Sequence, residues 1–395
     1  MVRTGLERLV EVGPKGAGLE PGARIGLLAH PASVDSSLRH AVDLLASRRD
    51  IRLVRLFAPE HGVRGEVQDM EPVDERADAA TGIPVVSLYG SDVHSLRPRA
   101  EHLQGLDAVV YDLQDVGTRY YTFVATLSYV MEAARDAHLL VVVLDRPNPI
   151  GGVAVEGPVL KPGFESFVGR YPIPVRHGMT TAELAALMNQ EFGIGCDLRV
   201  VAMSGWLRGM HFEDTGLPWV APSPNMPTPD TARVYPGACL VEGTNLSEGR
   251  GTTRPLELVG APWLDGNRLA AALREEGLPG VLFRAVSFRP MFHKHAGASC
   301  HGVQVHMTES DRFRPFDTYL VLLREAIRQD RKRFDWRRDP YEFVTDRLAI
   351  DLLLGRSDLR SLLEAGASIE EMRATWASDL ATFMDPRRTV LLYGD

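Results

Sequence analysis

The chain has 395 residues, of which 45% are hydrophobic and 24% charged, a composition typical of a globular protein with more than one domain. The formal net charge of −8 argues against nucleic acid as a bulk partner, since no basic excess exists to displace counterions. The negative net charge is compatible with an anionic small substrate, because binding such a substrate needs only a few local arginines. The three cysteines, Cys196, Cys239 and Cys300, form no Cys-x-x-Cys pair, so neither a zinc ribbon nor a disulfide framework is expected.

The N-terminal sequence MVRTGLERLVEVGPKG lacks the apolar core of a secretory signal, and no stretch approaches ~20 uninterrupted apolar residues. We therefore expect no membrane insertion, and a cytoplasmic protein for the sequence as given. Export is compatible with this sequence if a signal peptide has been removed from it. No feature of the sequence sets the oligomeric state.

Apolar runs in the first half are predicted to be parallel strands, because near-continuous Val, Leu and Ile residues suit strands covered on both faces. The predicted strands are Arg24–His30, Ile51–Pro59, Pro84–Tyr89, Asp107–Leu113, Leu139–Pro147 and Asp197–Met203. Helical patterns occupy Ser36–Ser47, Thr118–Ala137 and Thr180–Phe192, and Thr180 with Glu183 forms a capping box. This alternation predicts a Rossmann-like α/β domain over residues 1–205, with ligands beyond the carboxyl ends of its strands.

The first strand is not followed by a nucleotide-binding glycine motif. Its exit reads LLAHPASVDSS, which contains no Gly-x-Gly-x-x-Gly. The main sequence evidence for dinucleotide binding is therefore absent. A Rossmann-like fold by itself does not identify the reaction. We expect no cofactor.

The character of the sequence changes from Trp206 onward. The segment GLPWVAPSPNMPTPD is rich in proline but too apolar for a flexible linker, so it is predicted to be an ordered loop. Strands are predicted at Val281–Phe292 and His301–Thr308, and helices at Tyr319–Gln329, Arg347–Leu354 and Ile369–Met384. Residues 206–395 are thus predicted to form a smaller α+β domain.

Polar residues follow three of the predicted parallel strands. The second strand leads to Glu60, His61 and Arg64, the fourth to Asp115, Arg119, Tyr120 and Tyr121, and the fifth to Arg146 and Asn148. If the sheet is parallel, all three turns meet at one edge. Charged side chains gathered there are costly for stability, so their convergence indicates a functional site. Separately, each residue has a plainer interpretation: a polar turn, a helix cap or an arginine paired with a neighbouring aspartate.

A second polar run extends from Pro236 to Trp263. It carries Glu242, Asn245, Glu248, Arg250, Thr252 and Arg254 among glycines that let the backbone approach a ligand closely. Arg250 and Arg254 can hold a carboxylate in a planar fork, and Asn225 and Asn245 carry amides suited to sugar hydroxyls or an acetamide. The alternative is a glycine-rich hairpin with solvated charges.

The sequence contains little evidence for a catalytic metal site or a nucleophilic serine. His293, His295, His301 and His306 cluster in the sequence near Cys300, but no His-Glu-x-x-His helix or compact carboxylate set accompanies them. No Gly-x-Ser-x-Gly motif is present either. We expect no bound metal.

Several of these blocks together identify a family. FAPEHGVRGE, DLQDVGTRYYTF, LDRPNPIGG, RHGMTTAELA, PSPNMPT and YPGACLVEGTNLSEGRGTTRPLELVGAPW resemble successive blocks of the bacterial exo-β-N-acetylmuramidases, glycoside hydrolases formerly known as a domain of unknown function. The resemblance runs from about Ile25 to the C-terminus. It implies two domains with the active site in the cleft between them, and removal of β-linked N-acetylmuramic acid from the non-reducing end of peptidoglycan fragments. Family members are often exported.

The resemblance also implies that Glu60, in the Pro-Glu-His-Gly block, is the catalytic glutamate. As a residue that leaves an apolar strand, it is a suitable proton donor, because partial desolvation favours a protonated carboxyl. His61 is expected to orient Glu60 or to bind substrate. The second catalytic group is left open among Asp115, Tyr121, Glu242 and the acetamide of the sugar itself, and so is retention or inversion.

The remaining polar residues are expected to bind substrate, with Arg119, Arg250 or Arg254 facing the lactyl carboxylate of muramic acid. Two rival functions stay open: hydrolysis of another acidic or N-acetylated sugar, and sugar binding without catalysis.

Overall fold

The protein, described by a computed structural model over residues 1–65, 70–72 and 77–394, alternates strands and helices in its first half. The strands are β1 (Ala23–Ala29), β2 (Ile51–Ala58), β3 (Val85–Ser87), β4 (Ala108–Asp112), β5 (Leu140–Leu144), β6 (Glu156–Val159), β7 (Pro174–Arg176), β8 (Asp197–Val201), β9 (Leu258–Ala261), β10 (Val281–Phe288) and β11 (Cys300–Met307). The helices are α1 (Gly5–Gly16), α2 (Ala41–Ala46), α3 (Ala100–Leu103), α4 (Phe123–Asp136), α5 (Thr181–Gln190), α6 (Pro229–Ala238), α7 (Gly266–Glu275), α8 (Pro315–Gln329), α9 (Ala349–Leu354), α10 (Asp358–Ala365), α11 (Ile369–Ala374) and α12 (Ala377–Thr389). Short 3₁₀ turns occupy Val93–Leu96, Phe212–Thr215 and Cys239–Gly243.

The first domain is built on a six-stranded sheet in the order β3-β2-β1-β4-β5-β8. Every neighbouring pair is parallel, which confirms the predicted Rossmann-like sheet. Val110 and Val142 pack with α1 and α2 on one face, whereas Val109 and Val141 pack with α4 and α5 on the other. Because both faces are covered, these strands read as continuous apolar runs rather than as alternating ones.

The second domain contains an antiparallel sheet in the order β10-β11-β9, against which α7 packs. Helix α8 contacts α6, α7 and α10. One hydrophobic cluster runs from the α4–α5 side of the parallel sheet through α6 and α8 into this domain. The two domains therefore share a continuous apolar core, and the predicted boundary between residues 205 and 206 stays a prediction.

Several predicted helices have different bounds in the structure; α8, for example, begins at Pro315 and not at the predicted Tyr319. The pattern at Ser36–Ser47 yields only α2, because the Asp35 carboxylate accepts hydrogen bonds from the backbone amides of Ser37 and Arg39 and fixes a turn there. The helix predicted at Thr118–Ala137 begins at Phe123, since the amide of Arg119 instead donates to the carbonyl of Val175. The helix predicted at Ile369–Met384 is two helices, α11 and α12. The capping box of Thr180 and Glu183 at the start of α5 is confirmed.

The C-terminal residues return to the first domain. The Tyr393 hydroxyl donates a hydrogen bond to the carboxyl of Asp145, which directly follows β5, and the amide of Leu392 donates to Glu183. Asp145 is fully buried, and its second oxygen accepts from the amide of Ala182 at 3.0 Å. Burial raises the pKa of the Asp145 carboxyl to about 7, and its hydrogen bonds offset that shift only in part.

This carboxyl makes stability depend on pH. Between about pH 4 and pH 7 the folded state keeps a proton on Asp145 that the unfolded state has lost, so stability falls as pH rises through this window. The whole effect is at most ~4 kcal/mol. We expect Asp145→Asn to flatten the decline of the thermal unfolding midpoint across this range. Asp339→Asn, at an exposed aspartate, is the control, and an equal slope in Asp145→Asn and wild type would contradict the assignment.

Candidate active site

A cleft lies where the turns after β2 and β4 meet loops of the second domain. In the part of the chain that the structure describes, its lining combines carboxylates, aromatic rings and the guanidinium of Arg250. The lining residues are Glu60, His61, Met70, Tyr120, Tyr121, Thr122, Val168, Ser223, Asn225, Met226, Tyr235, Glu242, Arg250, Leu256, Tyr341 and Glu342. The cleft is thus at the carboxyl edge of the parallel sheet, where the topology predicts a ligand.

Glu60 is held by two hydrogen bonds in this cleft, where only 4% of the residue is exposed. The Thr122 hydroxyl donates to Oε2 at 2.7 Å, and the amide of Met70 donates to Oε1 at 3.1 Å. A threonine hydroxyl can donate to a carboxylate and can also accept from a carboxylic acid. Thr122 can therefore hold Glu60 in either protonation state.

The Pro-Glu-His-Gly turn has an unusual backbone. His61 has φ +74° and Gly62 has φ +79°, and the amide of Gly62 closes the turn on the carbonyl of Pro59 at 3.0 Å. A left-handed conformation in a residue other than glycine costs about 1–3 kcal/mol. The turn brings both Glu60 and His61 to the cleft, so the strained backbone lies at the site itself.

Tyr121 presents a phenol to the cleft from the turn after β4. Its hydroxyl has no hydrogen-bond partner within the described part of the chain; the Ser223 hydroxyl lies beside it without hydrogen-bond geometry. Burial raises the pKa of the Tyr121 phenol far above its usual value, so the group is a neutral donor at physiological pH. A buried donor of this kind is available to a ligand.

On the side of the second domain, a network of charges surrounds Arg250. Its guanidinium donates to Glu242 at 2.7 Å, and the Tyr341 hydroxyl donates to the other oxygen of Glu242 at 2.8 Å. Behind them Glu248 is buried and pairs with Lys294 at 3.0 Å. Burial opposes ionisation of Glu248, but Lys294, the hydrogen bond with His293 and Arg250 together hold its pKa well below the usual range.

A further carboxylate, Glu342, lines the cleft and accepts a hydrogen bond from the Tyr89 hydroxyl at 3.1 Å. It lies in a tight turn in which Tyr341 and Val344 exchange backbone hydrogen bonds. Glu342 and Phe343 have φ +46° and +68°, the positive values that both central residues of a type I′ turn require. Asparagine and glycine are the usual residues there, and each of these two costs about 1–3 kcal/mol.

Two arginines predicted to bind substrate are placed elsewhere. Arg64 is partly exposed and pairs with Asp78 at 3.0 Å and Asp43 at 3.3 Å. Arg119 is buried and donates to the carbonyls of residues 158, 173 and 353 at 2.9, 3.1 and 2.6 Å. Burial lowers the pKa of the Arg119 guanidinium to about 10. The Arg119 side chain joins the turn after β4 to the end of α9. Because its donors are used in this way, a role in binding substrate is disfavoured.

The turn after β5 also stays outside the cleft. Arg146 forms a buried ion pair with Asp112 at 2.6 Å, the plainer of its two interpretations. Asn148 donates to the carbonyl of Met179 at 2.9 Å and accepts from the amide of Ile150 at 3.1 Å, so it organises its own turn. The sheet edge is shared as predicted, but of the three predicted turns only those after β2 and β4 contribute residues to the described lining of the cleft.

Asp115 lies behind Tyr121 and is not among the cleft residues. Its Oδ2 accepts from the amide of Gly117 at 2.6 Å and lies 3.5 Å from Nε2 of the buried His177. Oδ1 of Asp115 has no partner in the described ranges. The position of Asp115 outside the described lining argues against a direct catalytic role.

Three residues of the polar run after α6 lie away from the cleft. Asn245 donates to the carbonyl of Arg333 at 2.7 Å, and the Thr252 hydroxyl donates to the carbonyl of Gly249 at 2.5 Å. The Arg254 side chain is 52% exposed and pairs with Glu257 at 3.4 Å. Of the two predicted carboxylate-binding arginines in this run, only Arg250 reaches the cleft.

Several lining residues were missed from the sequence. Thr122 follows the predicted Tyr120-Tyr121 pair directly, so its position was available. Ser223 and Met226 flank the predicted Asn225 in the proline-rich loop. Tyr341 and Glu342 lie in a segment without motif or periodicity, and only the three-dimensional structure brings them to the cleft.

The histidine-rich segment serves the protein framework. His293 pairs with Glu248 at 3.3 Å, His295 contacts the carbonyl of Asn245 at 2.7 Å, and His301 contacts Ser287 at 2.8 Å. Among residues 1–65, 70–72 and 77–394, no group of three or more His, Cys, Asp or Glu is arranged to hold a metal. Nor does any helix in these ranges have the length and apolarity to cross a membrane.

Comparison with known proteins assigns both halves of the chain to one family. Residues 25–230 match the family model described as exo-beta-N-acetylmuramidase NamZ, N-terminal, and residues 233–393 match its C-terminal counterpart. The chain is 45% identical over 392 residues to the peptidoglycan beta-N-acetylmuramidase NamZ of Bacillus subtilis (strain 168). That match covers 99% of this chain and 91% of the relative.

Two solved structures, both of DUF1343 family proteins from Bacteroides fragilis NCTC 9343, have the same fold. The first has a TM-score of 0.89 at 34% identity and covers 99% of each chain. The second has a TM-score of 0.77 at 28% identity and covers 100% of this chain and 99% of the other. These matches confirm the two-domain α/β architecture.

Proposed function

The chain belongs to the exo-β-N-acetylmuramidase NamZ family, and we propose that it is a glycoside hydrolase that releases β-linked N-acetylmuramic acid from the non-reducing ends of peptidoglycan fragments. The observation that carries the proposal is the inter-domain cleft in which Glu60 is buried and held by Thr122. Its substrate is a muropeptide or disaccharide produced during cell-wall turnover or recycling.

Glu60 is the proton donor in this proposal. Cleavage of the glycosidic bond leaves the pair of electrons on the departing oxygen, which takes the proton of Glu60. A water oxygen then bonds to the anomeric carbon, and the proton that the water loses restores the acid form of Glu60 at the end of the cycle. Thr122 and the amide of Met70 fix the Glu60 carboxyl before and after transfer. His61 shares the turn and contributes to positioning substrate or acid.

Stabilisation of the electron-deficient anomeric carbon is assigned to one of three groups. Tyr121 and Glu242 both line the cleft, and the acetamide of the sugar can act as an internal nucleophile. Glu242 is engaged by both Arg250 and Tyr341, which favours a fixed anionic role. Asp115 is the group next to Tyr121 outside the described lining, and any contribution from it to the reaction is made through Tyr121.

Arg250 is the residue proposed to receive the lactyl carboxylate of muramic acid. It is the arginine of the described lining, and planar guanidinium groups bind carboxylates with two parallel hydrogen bonds. Tyr120, Tyr121 and Tyr235 supply an apolar aromatic surface for the sugar ring.

The test of this function is hydrolysis of para-nitrophenyl β-N-acetylmuramic acid beside the corresponding N-acetylglucosaminide, each with and without EDTA. We expect release from the muramic compound alone, with the same rate in EDTA, because the proposed acid chemistry uses only side chains. Restoration by zinc or manganese after chelation would contradict the metal-free scheme. Binding of muramic acid without hydrolysis of any substrate would leave a sugar-binding protein.

A further inference from the structure

We propose that Glu342 is the residue that makes the enzyme exo-acting: its carboxylate accepts a hydrogen bond from the free 4-hydroxyl of the terminal sugar, the hydroxyl through which a longer glycan would continue. The inference rests on the proposed function and deepens it. It starts from a carboxylate that lines the cleft and that neither the acid role nor the lactyl site uses.

The position of Glu342 is imposed by the fold at a cost. The turn of residues 341–344 holds Glu342 and Phe343 at positive φ, a conformation unfavourable for both residue types. Strained backbone of this kind persists where the surroundings fix it, and it is frequent at ligand sites. Here the turn is fixed from both sides, by Tyr341 on Glu242 and by Glu342 on Tyr89.

Packed aromatic rings lie next to Glu342. Tyr89, Phe167 and Phe343 pack their rings together, with centroids 5.6–6.4 Å apart. Tyr89 and Phe167 are buried together with Leu96. We infer that a sugar in contact with Glu342 is stopped by these packed rings, so that the group it presents to Glu342 belongs to the end of a glycan.

The chemistry of a carboxylate then distinguishes a terminal sugar from an internal one. A carboxylate offers about four acceptor positions and, when ionised, no donor. A free hydroxyl donates to it, whereas the ether oxygen of a continued glycan can only accept. An internal sugar would therefore leave a buried carboxylate facing another acceptor, and sites of this type reject ligands that lack the donor.

The inference is tested by pairing enzyme variants with substrate analogues. Glu342→Ala and Glu342→Gln are compared with wild type on para-nitrophenyl β-N-acetylmuramic acid and on its 4-deoxy analogue. We expect Glu342→Ala to raise KM about 10- to 100-fold, as loss of a charge-assisted hydrogen bond does, with a smaller rise for Glu342→Gln. In wild type the 4-deoxy substrate should show the same loss, and in Glu342→Ala it should show no further loss.

The matched control is Asp339→Asn, an exposed carboxylate three residues before Glu342, which should behave as wild type. Independent losses from the variant and from the deoxy analogue would overturn the inference, and so would wild-type KM in Glu342→Ala. Thermal unfolding of each variant separates misfolding from a lost contact. Failure of the proposed function is distinguishable, because then wild type itself would not hydrolyse the muramic substrate.

Discussion

Glu60→Gln is expected to lower turnover about 10²- to 10⁴-fold, the range that a general acid contributes. Glutamine keeps the size of the side chain: its carbonyl oxygen can accept from the amide of Met70, and its NH2 group can donate to the Thr122 hydroxyl, but it has no acidic proton to give. The loss should be larger for a disaccharide than for the para-nitrophenyl compound, since nitrophenolate departs with little help from an acid. The measurement is kcat on both substrates, with calorimetry of disaccharide binding.

Binding is the control for this variant. If Glu60 is the acid, Glu60→Gln binds the disaccharide about as well as wild type and can be used to hold intact substrate. Thr122→Val, which removes one hydrogen bond to Glu60, should give an intermediate loss. Hydrolysis of the disaccharide by Glu60→Gln at the wild-type rate would contradict the assignment of Glu60 as the general acid.

Arg250→Lys is expected to reduce the preference for the muramic substrate over the N-acetylglucosaminide about 10- to 100-fold, the value of a charge-assisted hydrogen bond. Lysine retains the positive charge beside Glu242 and Glu248 but cannot make two parallel hydrogen bonds to the lactyl carboxylate. The quantity to measure is the ratio of kcat/KM for the two sugars.

The exposed Arg254 provides the matched control. Arg254→Lys should leave the ratio unchanged, because its side chain pairs with Glu257 outside the cleft. An unchanged ratio in Arg250→Lys would place the lactyl group elsewhere. Equal losses on both sugars would mean that Arg250 maintains the Glu242–Glu248 network rather than selecting the substrate.

The sheet was predictable because its signal is local. Continuous apolar strands such as β4 and β5 identify a parallel sheet covered on both faces, and that topology alone brings the turns after β2 and β4 to one edge. The Pro-Glu-His-Gly turn leaves the end of β2, so the position of Glu60 followed from the strand order.

The rest of the cleft depends on contacts distant in sequence. Arg119, Arg146 and Asn148 have the residue types of a binding site, but buried carbonyls and the Asp112 carboxylate take up their donors. The sequence alone does not distinguish an arginine that donates hydrogen bonds to backbone carbonyls from one that binds a ligand. Glu342 shows the converse: it lies in an unremarkable loop, and only the packing of the two domains brings it to the cleft.

The contact between Tyr393 and Asp145 joins residues 248 positions apart, and the contact between Leu392 and Glu183 spans 209. During synthesis the parallel sheet emerges from the ribosome long before these partners exist. The Asp145 and Glu183 carboxyls of the first domain therefore gain these hydrogen bonds only after residues 392 and 393 have left the ribosome. We expect a chain cut after residue 389, which lacks both contacts, to be degraded faster by cellular proteases than the chain that retains them.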